Sequence, residues 1–304
     1  GLSSGIITFT IFWLANAWFQ SMGWPPCARL LTHWYPRERL GTWWGIWNAS
    51  HQIGGAGILI LGGYLVTEFG WRSAFYVPGA IALIGAVFLF NRLRDTPQSV
   101  GLPPIEAFEA AGAEAEVVEE QRPPLREVLF EHVLTNKLVW LMAMANFFVY
   151  IARIGMLDWA PTYLVEAKGR SLADSGWQVA GLEIAGILGG IAAGWTSDRV
   201  FKGNRAPVNI IYMLGLVGSL LMLWFVPPGN PWLDTLALVL IGFLVYGPQM
   251  LTSVAATDYA SKHAAATATG MVGLFGYLGA AVCGVGTGFV VDRWGWDGGF
   301  MLFT

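Results

Sequence analysis

The stretch LVWLMAMANFFVYIARIGMLDWAPTYL, residues 138–164, decides the class of fold. Its only charged residues are Arg153 and Asp158, and it exceeds the roughly 20 residues that a helix needs to cross a bilayer. The sequence therefore predicts a transmembrane helix that carries a permanent positive charge near its middle.

The rest of the chain repeats this apolar pattern. Apolar residues make up 55% of the sequence and charged residues 12%, against about a quarter charged in ordinary soluble domains. Short polar loops separate the runs, which favours a helical bundle over a barrel of alternating strands. We therefore predict an all-α membrane protein. Its eight apolar runs lie at approximately 2–27, 42–66, 73–91, 138–164, 176–197, 207–226, 233–256 and 265–290.

Basic residues indicate how the chain crosses the membrane. Twelve of the 17 Lys and Arg residues fall in one alternate set of loops, whereas Arg72, Lys168, Arg170 and Arg293 fall in the other set. Loops rich in Lys and Arg face the cytoplasm. The first set is therefore predicted to be cytoplasmic, and residue 1 is predicted to lie outside.

Three sequence landmarks recur at a nearly constant offset. MGWPPC, WYPRERLG and GWRSAF begin at residues 22, 34 and 70, and YGPQM, DYASKHAA and GWDGGF begin at residues 246, 258 and 295. The offsets of 224, 224 and 225 residues predict two homologous halves arranged as parallel repeats. Because residues 138–226 have no counterpart upstream, we interpret the chain as a fragment with about spans 4 to 11 of 12 and the start of span 12.

The repeat also predicts the domain organisation. The first half occupies 1–92 with spans 4 to 6, a cytoplasmic linker occupies 93–137, and the second half occupies 138–304 with spans 7 to 11 and a truncated span 12. Residues 106–124 lack apolar periodicity, so we expect this part of the linker to be flexible. Apolar residues at helical spacing after it predict a short helix on the membrane surface. They are Leu125, Val128, Leu129 and Val133.

The motifs of soluble enzymes are absent from the sequence. No glycine-rich stretch ends in Lys-Ser or Lys-Thr, as a phosphate-binding loop would. The four histidines lie in separate segments without the spacing of metal ligands. We therefore predict that the protein is not an enzyme, uses neither a cofactor nor a metal, and does not bind nucleic acid.

Arg153 needs an explanation, because a charge at mid-bilayer costs several kcal/mol and generally marks a polar pathway. Asp158 lies five residues further along the same helix, about 140° around it, and cannot readily pair with Arg153. Glu183 in the next span has a similar predicted depth. Two interpretations stay open: a structural ion pair of Arg153 with Glu183, and a ligand site.

Other polar side chains fall near the same depth. Asn48 and His51 are three residues apart in span 5 and hence share a helical face. Tyr150, Tyr246 and Tyr277 lie near the centres of spans 7, 10 and 11 and supply hydroxyl groups, although ordinary packing also explains a tyrosine in such a place. A cavity with an arginine, a histidine and tyrosines but few free carboxylates is suited to an anion.

Several stretches of the chain resemble the organophosphate:phosphate antiporters of the major facilitator superfamily. The resemblance rests on FQSMGWPPCARLLTHWYPRERLGTWWGIWNASHQIGGAG, RDTPQSVGLPPIE, VYIARIGMLDWAPTYL, SDRVFKGNRAP, FLVYGPQM, GLFGYLGAA and GWDGGF. It implies a helical bundle of two pseudo-symmetric halves in the bacterial inner membrane. It also implies exchange of an organic phosphate ester, with glycerol-3-phosphate as the first candidate, for inorganic phosphate by alternating access.

The resemblance also implies roles for individual residues. Arg153 matches a phosphate-binding arginine of the family and His51 matches its span-5 histidine, with Tyr150, Tyr246 and Tyr277 as cavity tyrosines. Asp158 and Glu183 match positions of salt bridges between the halves. The implied partners are phosphate esters, inorganic phosphate and the lipid bilayer, and the expected state is a monomer.

Relatives with other functions are alternatives. Hexose-6-phosphate transporters carry an acidic residue and a lysine in span 11, where this chain has Thr269 and Val272. Phosphoglycerate antiporters and membrane sugar-phosphate sensors also remain open. In the loop between spans 8 and 9, Asp198 is predicted either to latch the halves together or to belong to a segment that anchors at lipid headgroups.

Overall fold

The computed structural model describes residues 5–111 and 123–304, which are largely helical. Helices dominate because a backbone within a membrane must satisfy its hydrogen bonds internally. Helices of the first half are α1 (Ile6–Ser21), α2 (Trp24–Trp34), α3 (Leu40–Phe69) and α4 (Ser73–Arg92).

Short helices form part of the linker, and five long helices follow them in the second half. The short helices are α5 (Ile105–Ala111) and α6 (Leu125–Glu127), with a π-helical continuation at Val128–Leu134. The long helices are α7 (Lys137–Glu166), α8 (Leu172–Arg199), α9 (Arg205–Phe225), α10 (Pro231–Tyr259) and α11 (Ala265–Phe303).

Six segments of the described chain are long and apolar enough to cross a membrane. They are Ser73–Arg92, Lys137–Glu166, Asp174–Arg199, Arg205–Phe225, Pro231–Tyr259 and Lys262–Phe303. The prediction of an all-α membrane protein is therefore confirmed.

One predicted span is divided, and a second backbone break falls at a predicted boundary. The run at 2–27 was expected to be one span, but α1 ends at Ser21 and α2 begins at Trp24 with prolines in its first turn, where proline is tolerated because those amides lack helical partners. In α11 the backbone breaks at Gly295, which has φ +67°, a value that glycine adopts without strain. The break falls where GWDGGF was predicted to open span 12.

The linker is more ordered than expected at its start. Residues Ile105–Ala111 form a helix, and Glu106 forms an ion pair with Lys262, so the prediction of flexibility is wrong there. Residues 112–122, the middle of the predicted flexible segment, lie outside the described residues. The segment predicted to form a short helix after the linker is helical, and it buries Val128 and Val133 in a cluster formed with α7, α10 and α11.

Side-chain caps mark where α7, α8 and α9 begin. Asn136 accepts hydrogen bonds from the amides of Leu138 and Val139, at 3.0 and 3.4 Å. Ser171 caps α8 and Asn204 caps α9 in the same way. Each cap satisfies amides that the first helical turn leaves without partners.

Glycine allows the helices that form the site to pack closely. A Cβ on Gly279 of α11 would lie 2.2 Å from the carbonyl oxygen of Phe147 in α7, and one on Gly242 of α10 would lie 2.0 Å from that of Leu182 in α8. Such contacts require the absence of a side chain. They bring α7, α8, α10 and α11 together, and the two halves meet where α3 packs on α8 and α2 packs on α11.

Candidate functional site

Arg153 lies in the middle of α7 and is 9% exposed. Its Nη2 donates to the hydroxyl of Tyr246 in α10 at 3.2 Å. The centre of its guanidinium lies 4.9 Å from the Tyr246 ring centroid and 5.6 Å from that of Tyr150, distances at which aromatic faces attract a cation. The aromatic rings thus offset part of the cost of burying the charge.

Glu183 is connected to Arg153 through Tyr246. The Tyr246 hydroxyl donates to Oε1 of Glu183 at 2.6 Å and accepts from Arg153. The carboxylate and the guanidinium are therefore linked through a hydroxyl group that both of them orient. The predicted agreement in depth between Arg153 and Glu183 is consistent with this arrangement.

The Arg153 guanidinium is not fully satisfied. Its Nε is buried and lacks a hydrogen-bond partner among the described residues. A guanidinium presents five donors in a planar fork that matches phosphate and carboxylate oxygens. An unpaired donor on a buried cation is costly, and a bound anion would remove that cost.

The span-5 residues lie on α3. His51 is exposed and lies close enough to Arg153 and Glu183 to interact electrostatically with both. Asn48 is 4% exposed and packs against α8, with its amide nitrogen 3.7 Å from where a Cβ on Gly190 would lie. His51 therefore lies near the buried cation, whereas Asn48 lies in the crossing of α3 and α8.

A cavity of about 400 Å³ lies beside Tyr150, between the two halves. Tyr277 of α11 lines it, with its ring centroid 5.8 Å from that of Tyr150. The α1–α2 junction lines the opposite wall through Gln20, Ser21 and Trp24. Two of the predicted cavity tyrosines thus line a space shared by both halves.

Asp198 at the end of α8 contacts the first half. Its carboxylate accepts from the amides of Gly41 and Thr42 at 3.2 and 2.6 Å and from the Thr42 hydroxyl at 2.7 Å. These amides belong to the first turn of α3, which leaves them without helical partners and attracts negative charge. Asp198 thus caps a helix of the other half.

Arg205 extends this contact. It donates to Asp198, to Ser197 at 3.0 Å and to Asp258 at 3.1 Å. It also donates to the Arg37 carbonyl at 2.9 Å, and the Arg37 side chain lies 3.4 Å from Asp258. The halves are therefore joined on the side where basic loops predict the cytoplasm.

The inter-half contacts differ from those implied by the resemblance. Asp158 is exposed, and no hydrogen bond or ion pair of its side chain is found among the described residues. Glu183 bonds within its own half. Asp198 and Asp258 form the bridging contacts instead, because they lie at helix ends where the halves touch, whereas Glu183 lies deep in the second half.

Three further polar residues, not predicted from the sequence, lie along α7 and α10 in line with Arg153 and Tyr246. Gln249 of α10 donates to the Tyr150 hydroxyl at 3.3 Å, and the Asn146 side-chain oxygen of α7 accepts from Thr252 at 3.2 Å. The signal was available, since Gln249 and Thr252 follow Tyr246 at intervals of three residues and hence share its face.

These features define a class: a multi-pass helical membrane protein with a cationic site near the contact between two halves. Over residues 1–284 the sequence matches the Major Facilitator Superfamily. The chain belongs to this superfamily, which confirms the predicted fold class and the prediction that the protein is not an enzyme.

Curated relatives span several functions. A probable hexose phosphate transport protein of Chlamydia pneumoniae is 45% identical over 312 residues, covering 99% of this chain and 69% of the relative. The glycerol-3-phosphate transporter of Bacillus subtilis is 47% identical over 306 residues, covering 99% and 68%. The membrane sensor protein UhpC of Escherichia coli is 39% identical over 305 residues, covering 100% and 70%. The resemblance to the organophosphate:phosphate antiporter family is thus confirmed.

The fold also resembles a solved structure. The proton:xylose symporter XylE superposes with a TM-score of 0.63 at 15% sequence identity, covering 93% of this chain and 64% of that chain. This likeness supports the fold alone. All three curated relatives are bacterial, in agreement with the predicted location in a bacterial inner membrane.

Proposed function

We propose that the protein exchanges an organic phosphate ester for inorganic phosphate by alternating access, with Arg153 binding the phosphoryl group. The observation that carries this proposal is the Arg153 guanidinium, which is 9% exposed, lies at mid-span and has an Nε without a partner. A buried cation with spare donors is suited to an anion with several oxygens. His51 adds positive charge to the site when its imidazole is protonated.

The organic part of the substrate is less strongly indicated than its phosphate. Relatives named for hexose phosphate and for glycerol-3-phosphate match at 45% and 47% identity. Thr269 lines the cavity, but Val272 is fully buried in an apolar cluster, so the residue at position 272 says little about the ligand. We keep glycerol-3-phosphate as the first candidate, with hexose-6-phosphate and phosphoglycerate as alternatives.

Transport by the complete protein in proteoliposomes tests this function. Vesicles loaded with inorganic phosphate should accumulate labelled phosphate and should exchange it for glycerol-3-phosphate. The likeness to the sensor protein favours a second candidate, in which the same site binds the ester without flux. Tight binding of the ester without phosphate counterflow would support the sensor function. Absence of phosphate binding would contradict both candidate functions.

A set of variants tests the role of Arg153. Truncating a buried charged partner typically costs about 2–5 kcal/mol, so Arg153→Ala should lose most phosphate binding. Arg153→Lys should bind weakly, because lysine keeps the charge but lacks the planar fork. A purely structural role predicts instead that Arg153→Ala combined with Glu183→Ala restores phosphate affinity. Titration of the purified variants with phosphate distinguishes the two roles, and recovery in the double variant would refute the phosphate assignment.

A further inference from the structure

Polar side chains form a regular seam between α7 and α10. These helices run antiparallel, and Arg153 pairs with Tyr246, Tyr150 with Gln249, and Asn146 with Thr252. Successive pairs are three or four residues apart, so the layers are separated by about 5 Å along the helices. The seam leads from the buried cation towards the side where the halves are joined.

Gln249, in the second layer, has an unused acceptor. It is 6% exposed, and its Oε1 is buried and lacks a partner among the described residues, whereas its Nε2 donates to Tyr150. A buried amide oxygen without a donor is unfavourable, and a ligand hydroxyl can supply that donor. Gln249 also lines the 400 Å³ cavity between the halves.

The cavity suits a neutral hydroxylated group. Its lining contains amides, hydroxyls and aromatic rings but no charged side chain. From the second half these include Asn146, Tyr150, Gln249, Ser253, Thr269 and Tyr277. A few hydrogen-bonding groups in an otherwise apolar wall are typical of sites that orient small organic ligands.

We propose that this cavity binds the hydroxylated carbon chain of the substrate and that Gln249 accepts a hydrogen bond from one of its hydroxyls. The inference rests on the proposed function, since it places the phosphoryl group at Arg153. The layer of Gln249 lies about 5 Å from that of Arg153, a separation comparable with that between the phosphoryl group and a nearby hydroxyl in a small polyol phosphate. Inorganic phosphate does not reach this layer.

The test compares ligands with and without the hydroxyl groups, on the complete protein. Glycerol-3-phosphate, propyl phosphate and inorganic phosphate are titrated against the wild type and against Gln249→Leu, which keeps a similar volume and lacks the amide. The variant should lose about five- to tenfold in affinity for glycerol-3-phosphate, the worth of one neutral hydrogen bond. Its affinities for propyl phosphate and for inorganic phosphate should change less than twofold.

Gln178 provides a matched control in the same half. It is buried near the outer end of α8, where its amide donates to Pro231 and Thr235. Gln178→Leu should leave the ratio of glycerol-3-phosphate to propyl phosphate affinity unchanged. Gln249→Asn retains the amide but shortens the side chain by one methylene, so it should lower the ratio of glycerol-3-phosphate to propyl phosphate affinity. It replaces the leucine variant in this test if that variant does not fold.

The outcomes separate the two proposals. If the wild type binds inorganic phosphate and Gln249→Leu retains the full preference for glycerol-3-phosphate, the cavity assignment is wrong and the role of Arg153 is unaffected. If the wild type prefers the glycerol ester no more than propyl phosphate, the cavity assignment fails as well. If the wild type binds no phosphate compound, the proposed function itself fails.

Discussion

Replacing Asp198 with alanine should weaken the contact between the two halves at the basic side of the protein. The variant removes the acceptor for two amides and one hydroxyl of the α3 first turn, donated by Gly41 and Thr42. Arg205 keeps its bonds to Asp258 and Ser197, so the second half should stay folded. The change therefore acts on the contact between the halves.

The magnitude follows from these contacts. Hydrogen bonds to a charged group contribute about 1.5–3 kcal/mol each, and three of them cross between the halves. When the halves separate, water can reach the freed amides and offset part of this loss. We therefore expect the closed arrangement to become about 3–5 kcal/mol less stable relative to the open one. This corresponds to a shift in the closed-to-open ratio between about a hundredfold and a few thousandfold.

Distances between spin labels measure this shift. Cysteines replace the exposed Arg92 in the first half and Lys202 in the second, in a background where Cys27 and Cys283 are serine. Asp198→Ala should move the distance distribution to longer values. Transport rate should change much more than phosphate affinity, because residue 198 lies about 22 Å along α8 from residue 183.

Asp174→Ala is the control, because the Asp174 carboxylate accepts from the Ser171 hydroxyl at 2.7 Å at the start of α8, within the second half. It should leave the label distances unchanged. Identical distance distributions for the wild type and Asp198→Ala would refute the latch. Loss of expression without altered distances would favour a role in membrane anchoring.

Three further changes have defined outcomes. Tyr246→Phe removes the hydroxyl between Arg153 and Glu183 and should weaken phosphate binding by about tenfold or more, the cost of at least one lost bond to a charged group; unaltered affinity in titration would contradict this. A Cβ at Gly279 would lie 2.2 Å from the α7 backbone, whereas Gly273 has open space, so Gly279→Ala should lower the melting temperature and Gly273→Ala should not. His51→Gln should flatten the pH dependence of phosphate affinity between about pH 6 and 7, where imidazole and phosphate both titrate, and an unchanged profile would exclude protonation of His51 as a binding step.

The sequence predicted the spans of the second half well, because each contains a continuous apolar run of about the length that crosses a bilayer. It did not predict the break between α1 and α2. The two prolines after Gly23 lie within an apolar run, and a hydropathy pattern carries no information about the two backbone N–H groups that these prolines lack. The ordered start of the linker was missed because the Glu106–Lys262 pair joins residues far apart in sequence.

The site was predicted in part. Arg153 and Tyr150 share a helical face by spacing alone, whereas the position of Tyr246 between Arg153 and Glu183 depends on how α7, α8 and α10 are packed. Sequence spacing indicates which residues share a face of one helix and how far along that helix each residue lies. It does not reveal which faces of different helices meet, and this is why the seam through Gln249 required the structure.

The crossing of α3 and α8 has a mechanical consequence. A Cβ on Gly194 would lie 2.2 Å from the carbonyl oxygen of Gly41, and one on Gly45 would lie 2.9 Å from that of Gly190, so backbone faces backbone. Helices that interlock through side chains must withdraw them from grooves before they can shift, whereas a crossing in which glycines bring the two backbones together leaves fewer side chains to withdraw. We therefore expect the two halves to rotate against each other at this crossing, and we expect the Asp198 contact at its end to limit that rotation.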